Sequence, residues 1–98
     1  LNLIGDSVKN GLHTDKSGTK YWYLDNKLHR EDGPAVEWND GELWWYLNGG
    51  FHREDGPAIV RLDGNNVWFL NNRELTEEEF SGYLRNKQFN DSINETLK

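Results

Sequence analysis

LHREDGPAVEWNDGELWWYLNG, Leu28 to Gly49, decides the fold, because the heptapeptide inside it is written again further along. "HREDGPA" fills His29–Ala35 and returns at His52–Ala58, 23 residues on. The same interval separates Gly18, Gly41 and Gly64, then Trp22, Trp45 and Trp68, then Tyr23, Tyr46 and Phe69, then Leu24, Leu47 and Leu70. A fixed period of about 20 to 50 residues marks an array of small supersecondary units, none of which buries its apolar face alone. Three units follow: a degenerate first one over residues 12–28 and full ones over 29–51 and 52–75. Before the first, DSVKNGL (Asp6–Leu12) has lost the heptapeptide, as terminal capping units do.

Each unit holds a strand-sized run, a glycine turn and a second run: AVEW-ND-G-ELWWYL, AIVRL-D-G-NNVWFL and the weaker LHTDKS-G-TKYWYL. Asp-Gly between aromatic and β-branched runs predicts a hairpin, since glycine accepts the positive φ that the turn demands. A further Asn- or Gly-bearing turn in LDNKL, LNGGF and LNNRE reverses the chain again. The expectation is one mainly β domain over residues 1–98, an antiparallel hairpin meander of three repeats. Residues two apart share a strand face. Trp22 with Leu24, Trp45 with Leu47 and Trp68 with Leu70 hardly change between units, which assigns them to the core. The opposite face carries Tyr21 and Tyr23, Trp44 and Tyr46, Val67 and Phe69, and is aromatic as well.

At Thr76 the pattern changes. TEEEF (Thr76–Phe80) is a capping box with acids suited to the positive end of a helix dipole. It predicts a helix from about Glu77 to Arg85, within 76–86, with Phe80, Tyr83 and Leu84 on one side and the open end of the sheet beneath it. Residues 87–98 read as a polar tail, frayed or forming a second short helix.

Composition narrows the function. Seventeen acids against eleven bases leave a net charge of -6, which opposes direct binding to nucleic acid and favours a partner with a basic surface. Without cysteine there are no disulfides or thiolate metal sites. The opening LNLIGDSVKNGLH is too polar for a secretory leader, and no run approaches the roughly 20 apolar residues of a membrane span, so a cytoplasmic protein is expected. Five tryptophans, four tyrosines and four phenylalanines in 98 residues must form a core, an interaction face, or both.

With its aromatic strand, Asn-Gly turn, histidine three residues after that glycine (Gly49 to His52) and later Asp-Gly, the unit resembles the membrane occupation and recognition nexus (MORN) repeat. WYLNGGFHREDGPAIVRLDG and LHREDGPAVEWNDGELWWYLNG are similar to a variant of bacterial and phage proteins, those of T-even-like phages among them, whose arrays often end in sequence like NNRELTEEEF. The likeness spans Tyr21 to about Phe80, and REDGP replaces the shorter glycine-rich link of ordinary MORN units. MORN-type proteins are mainly scaffolds that bind proteins, sometimes lipids, and some variant arrays are antitoxin-like. The resemblance implies a binding module, in the host cytoplasm if phage-encoded, and does not name its ligand.

As chemistry, His29 with Asp32 and His52 with Asp55 could offer metal ligands, and Glu31 or Glu54 an acid or base. The structural reading is stronger, because Asp-Gly-Pro is turn chemistry and a corner recurs with the period whereas an active site has no need to. None of the four serines sits in a G-x-S-x-G elbow, and there is no phosphate loop. No catalytic residue, metal or cofactor is therefore expected. The best binding candidates are Tyr21, Tyr23, Trp44, Tyr46 and Phe69 on the aromatic face, with Arg30 and Arg53 beside them. They suit a non-catalytic protein-interaction module, such as a phage-encoded inhibitor of a host or defence protein, with a homodimer through free strand edges also in view. A nucleotide-signal binder, with bases stacked on Trp44 or Tyr46 and phosphate held by Arg30 or Arg53, is the alternative. Nucleic-acid mimicry ranks third, because the acids are interleaved with bases.

Overall fold

The first two strands, β1 (Gly11–Thr14) and β2 (Lys20–Leu24), form an antiparallel hairpin in the computed structural model, which describes residues 8–96. The far end of β2 pairs with β3 (Lys27–Leu28), and its near end with β4 (Val36–Glu37). Next, β4 pairs with β5 (Leu43–Trp44), and β5 with β8 (Ile59–Val60). The main sheet therefore runs β1-β2-β4-β5-β8, with β3 attached to β2. Two small hairpins flank it: β6 (Tyr46–Leu47) with β7 (Gly50–Phe51), and β9 (Trp68–Leu70) with β10 (Arg73–Leu75). A bridge from Ile59 to Val67 ties the last hairpin to β8. The fold is mainly β and antiparallel, with one C-terminal helix, α1 (Glu77–Thr96).

The turn chemistry explains the pairing. Between β2 and β3, β6 and β7, and β9 and β10 the loop is two residues long, Asp25-Asn26, Asn48-Gly49 and Asn71-Asn72, and all six residues have positive φ. That is the type I′ hairpin turn, whose twist matches paired strands and which Asn, Asp and Gly tolerate best.

The faces differ from expectation. Residues paired across antiparallel strands share a face. Val36 pairs with both Tyr21 and Trp44, and Ile59 with Trp44, so two of the most buried side chains (1% and 6% exposed) lie on the aromatic face. On the other face Leu24 is 44% exposed, and Trp22 and Trp45 are half-buried opposite the buried Ala35 and Ala58, whose carbonyls accept from the tryptophan amides at 2.8 and 2.7 Å. Assigning the core to the Trp–Leu pairs alone is thus corrected: apolar burial is divided between the two sides of one thin sheet. The molecule is 19 Å across its shortest axis with a radius of gyration of 16.8 Å, against about 13 Å for a compact 100-residue domain.

At α1 the capping box forms as read. The Glu79 amide donates to Thr76 Oγ1 at 3.0 Å and the Thr76 amide to Glu79 Oε1 at 2.8 Å. Phe80 is buried and Ser81–Leu84 half-buried, so the first two turns cover the sheet end. The expected stop near residue 86 is corrected, since the helix continues to Thr96. NKQFNDSINET (Asn86–Thr96) contains neither glycine nor proline to end it, and Lys87 approaches Asp91 one turn on at 3.7 Å. From Arg85 to Asn94 every residue is exposed. No helix among the described residues is long and apolar enough to cross a membrane.

Candidate functional site

All five aromatic candidates lie on one continuous run of rings. From the first strand it passes His13 to Tyr23 (5.3 Å between centroids), Tyr23 to Tyr21 (6.4 Å), Tyr21 to Trp38 (6.2 Å) and Trp38 to Trp44 (4.9 Å). Phe51 then joins Trp44 (5.7 Å), Tyr46 (4.3 Å) and Phe69 (4.8 Å). Sequence reasoning missed Trp38 and Phe51, although the strand pattern carries a signal for each. Trp38 is two residues from Val36 and shares its face, and Phe51 lies opposite Tyr46 across the I′ turn. Each of the seven Trp, Tyr and Phe rings is half-buried, covered by its neighbours and open along the remaining edge.

The polar handles of this ladder are few. Tyr21 donates its hydroxyl to Asp15 Oδ2 at 3.1 Å, and Trp44 Nε1 donates to Glu42 at 3.3 Å. The Ser17 hydroxyl is the largest influence holding the Asp15 carboxyl below its usual value, helped by the Ser17 and Thr19 amides. Burial, and then the bond to Asp15, raise the Tyr21 phenol, and burial alone raises Tyr46. Among the described residues, Trp38 Nε1 is the one buried side-chain donor without a partner.

Arg30 and Arg53 are placed elsewhere. Arg30 lies over the Trp22 ring at 4.0 Å and Arg53 over Trp45 at 3.8 Å, on the reverse of the strand from the ladder. Arg30 donates to Asp32 at 2.9 Å, to the Pro34 carbonyl at 3.2 Å and to Glu37 at 3.0 Å. Arg53 repeats the first two contacts with Asp55 (2.8 Å) and Pro57 (3.1 Å), and position 60, where a third acid would stand, is Val60. The aromatic face and the two arginines are therefore not brought together, and phosphate held beside Trp44 or Tyr46 would meet neither Arg30 nor Arg53 there.

The heptapeptide resolves residue by residue. His29 Nδ1 accepts from the Asn48 amide at 2.9 Å, and His52 Nδ1 from the Asn71 amide at 2.8 Å, each reaching the I′ turn that follows. The other ring nitrogen faces Glu31 at 3.3 Å or Glu54 at 3.1 Å, so both histidine nitrogens are engaged. The arginine stacks on tryptophan and is held by the aspartate and the proline carbonyl. Glycine leaves room for it, since a Cβ at Gly33 or Gly56 would meet Arg30 Cζ at 3.1 Å or Arg53 Cζ at 2.9 Å. Alanine fits the buried place opposite the tryptophan. Where the heptapeptide is missing, Asn10 supplies the acceptor, taking the Asp25 amide at 2.9 Å.

Between the two corners lies a cleft of about 640 Å³. Its floor is Trp45 and Leu47; its walls are Arg30–Pro34 on one side and His52–Asp55 on the other. Glu31, Asp32 and Asp55 expose more than four-fifths of their side chains there. Against known proteins, the chain matches no family model, no curated sequence and no solved structure.

Proposed function

We propose that this chain is a non-catalytic protein-interaction module, a three-unit array of the MORN type, which holds a basic partner surface against its aromatic ladder. The observation that carries the reading is the uninterrupted run of half-buried rings from Tyr23 to Phe69. Tyr and Trp dominate interface energies because they bring large, stiff, amphipathic area with little entropy to lose. A net charge of -6 supplies the steering toward a cationic partner.

The test uses Tyr23 and Phe69, which lie towards opposite ends of the run. Tyr23→Ser/Phe69→Ser should retain cooperative thermal unfolding yet lose the protein that the wild type captures from bacterial lysate. Capture should weaken with salt, as an acidic module on a basic surface requires. Equal capture by both proteins, or capture indifferent to salt, refutes the proposal.

A further inference from the structure

We propose that the cleft between the two corners is a docking site for the exposed second half of α1 from another copy of this chain. It lies on the reverse of the sheet from Tyr46, because Leu47, its floor, is the next residue of the same strand, so it is independent of the ladder.

The chain shows on itself what fits against such a corner. At the second corner, Tyr83 of α1 directs its hydroxyl to Glu54 Oε1 at 3.5 Å, with Phe80 buried beside it at a ring distance of 5.8 Å. Glu54 is accordingly 56% exposed, whereas Glu31, its counterpart at the first corner, is 83% exposed. One corner thus carries a helix bearing an aromatic pair, and the equivalent flank of the other opens into the cleft. The cleft volume is within the range of about 300–1,000 Å³ typical of sites that enclose a side-chain-sized or larger group.

The same helix carries the matching surface. Phe89 is 64% and Ile93 39% exposed, and being four residues apart they lie on one face. Arg85, one turn before Phe89, shares that face and is exposed as well. Phe89 is nine residues from Phe80, two and a half turns at about 3.6 residues each, so it points away from the sheet that Phe80 packs on. A continuous helix cannot turn that stripe back onto its own cleft. In a second copy, Phe89 and Ile93 meet Leu47 and the part of Trp45 that Arg53 leaves open to the cleft, while Arg85 meets the rim of Glu31, Asp32, Glu54 and Asp55. The excess of acids over Arg30 and Arg53 on that rim favours a helix with a cation beside its aromatic residue.

The experiment combines sedimentation with cross-linking in a chain that has no cysteine of its own. Wild type should show a concentration-dependent dimer, and Phe89→Ser/Ile93→Ser should raise its dissociation constant at least about tenfold, with a melting temperature matching the wild type's at concentrations where both are monomeric. Mixing one chain carrying Asp32→Cys with another carrying Asn86→Cys should give the mixed disulfide in excess over either homodisulfide. A wild-type monomer at every concentration up to about 1 mM overturns the proposal, that being the weakest association such a contact would give. Predominance of the Asn86→Cys homodisulfide would also overturn it, since helix would then be pairing with helix.

Discussion

Replacing Gly56 with alanine tests whether the guanidinium packed on tryptophan holds the corner together. Gly56 does not have the positive φ that reserves a position for glycine, so its backbone is open to alanine. At such a site the exchange ordinarily stabilises by about 0.4–1 kcal/mol, by restricting the unfolded chain. Here the new methyl would stand 2.9 Å from Arg53 Cζ and 3.1 Å from Nη1, closer than carbon tolerates. Arg53 must shift from its place on the Trp45 face, and at the limit it loses both that stacking and its bond to the Pro57 carbonyl. The stacking is worth about 1 kcal/mol when partly desolvated, and a charged donor to a carbonyl about 1.5 kcal/mol or more. The pair with Asp55, whose side chain is 83% exposed, adds almost nothing. After the unfolded-state gain is set against these losses, Gly56→Ala should destabilise by up to about 2 kcal/mol, which at the limit is about 8–16 °C in melting temperature for a domain of this size.

The sign makes the experiment decisive. Thermal unfolding followed by circular dichroism should show the fall in the wild-type background. In an Arg53→Ala background, where there is nothing left to displace, the same Gly56→Ala change should stabilise by the ordinary glycine-to-alanine amount. An unchanged or raised melting temperature for Gly56→Ala alone would refute the account of the corner.

Three further outcomes follow from the same geometry. His52→Ala removes the acceptor for the Asn71 amide, so stability should drop by about 1 kcal/mol and hydrogen exchange at Asn71 should accelerate; unaltered exchange would show that the bond is incidental. Phe51→Ala should cost more, about 2–3 kcal/mol by chemical denaturation, because Phe51 meets three rings and its loss opens a gap in the ladder; a loss no larger than that of Tyr23→Ala would contradict this. Burial raises the Tyr46 phenol above its usual 10.0, so the folded chain holds that proton more tightly, and the contribution is intact below pH 10 and lost as the pH rises through the folded value. Tyr46→Phe should therefore flatten the alkaline fall in melting temperature, and an identical slope would refute the burial argument.

Turns were the most legible part of the sequence because their chemistry is local. Asn48-Gly49 specifies its backbone without help from the rest of the chain, and the Thr76–Glu79 box closes over four residues. Alternation correctly grouped Tyr21, Tyr23, Trp44, Tyr46 and Phe69. It could not say which side of the sheet is buried, because Trp22 and Leu24 alternate with Tyr21 and Tyr23 just as regularly, and both sets are apolar. What tips the balance is carried by the partner strands. Val36 and Ile59 bring bulk to the ladder side, whereas Ala35 and Ala58 bring almost none to the other, where a guanidinium covers the tryptophan instead.

The same division explains why the heptapeptide is so exacting. In a molecule only 19 Å across its shortest axis, Trp22 and Trp45 have no second layer above them among the described residues, so each needs a lid from its own chain. Arginine serves because it is flat enough to lie on an indole and polar enough to face water. The lid in turn needs an aspartate and a carbonyl to orient it, and a glycine beneath it for clearance. Histidine then anchors the finished corner to the next turn through Nδ1. HREDGPA is thereby engaged in building its own corner and tying it to the next turn, while its acidic side chains still expose most of their surface at the rim of the cleft.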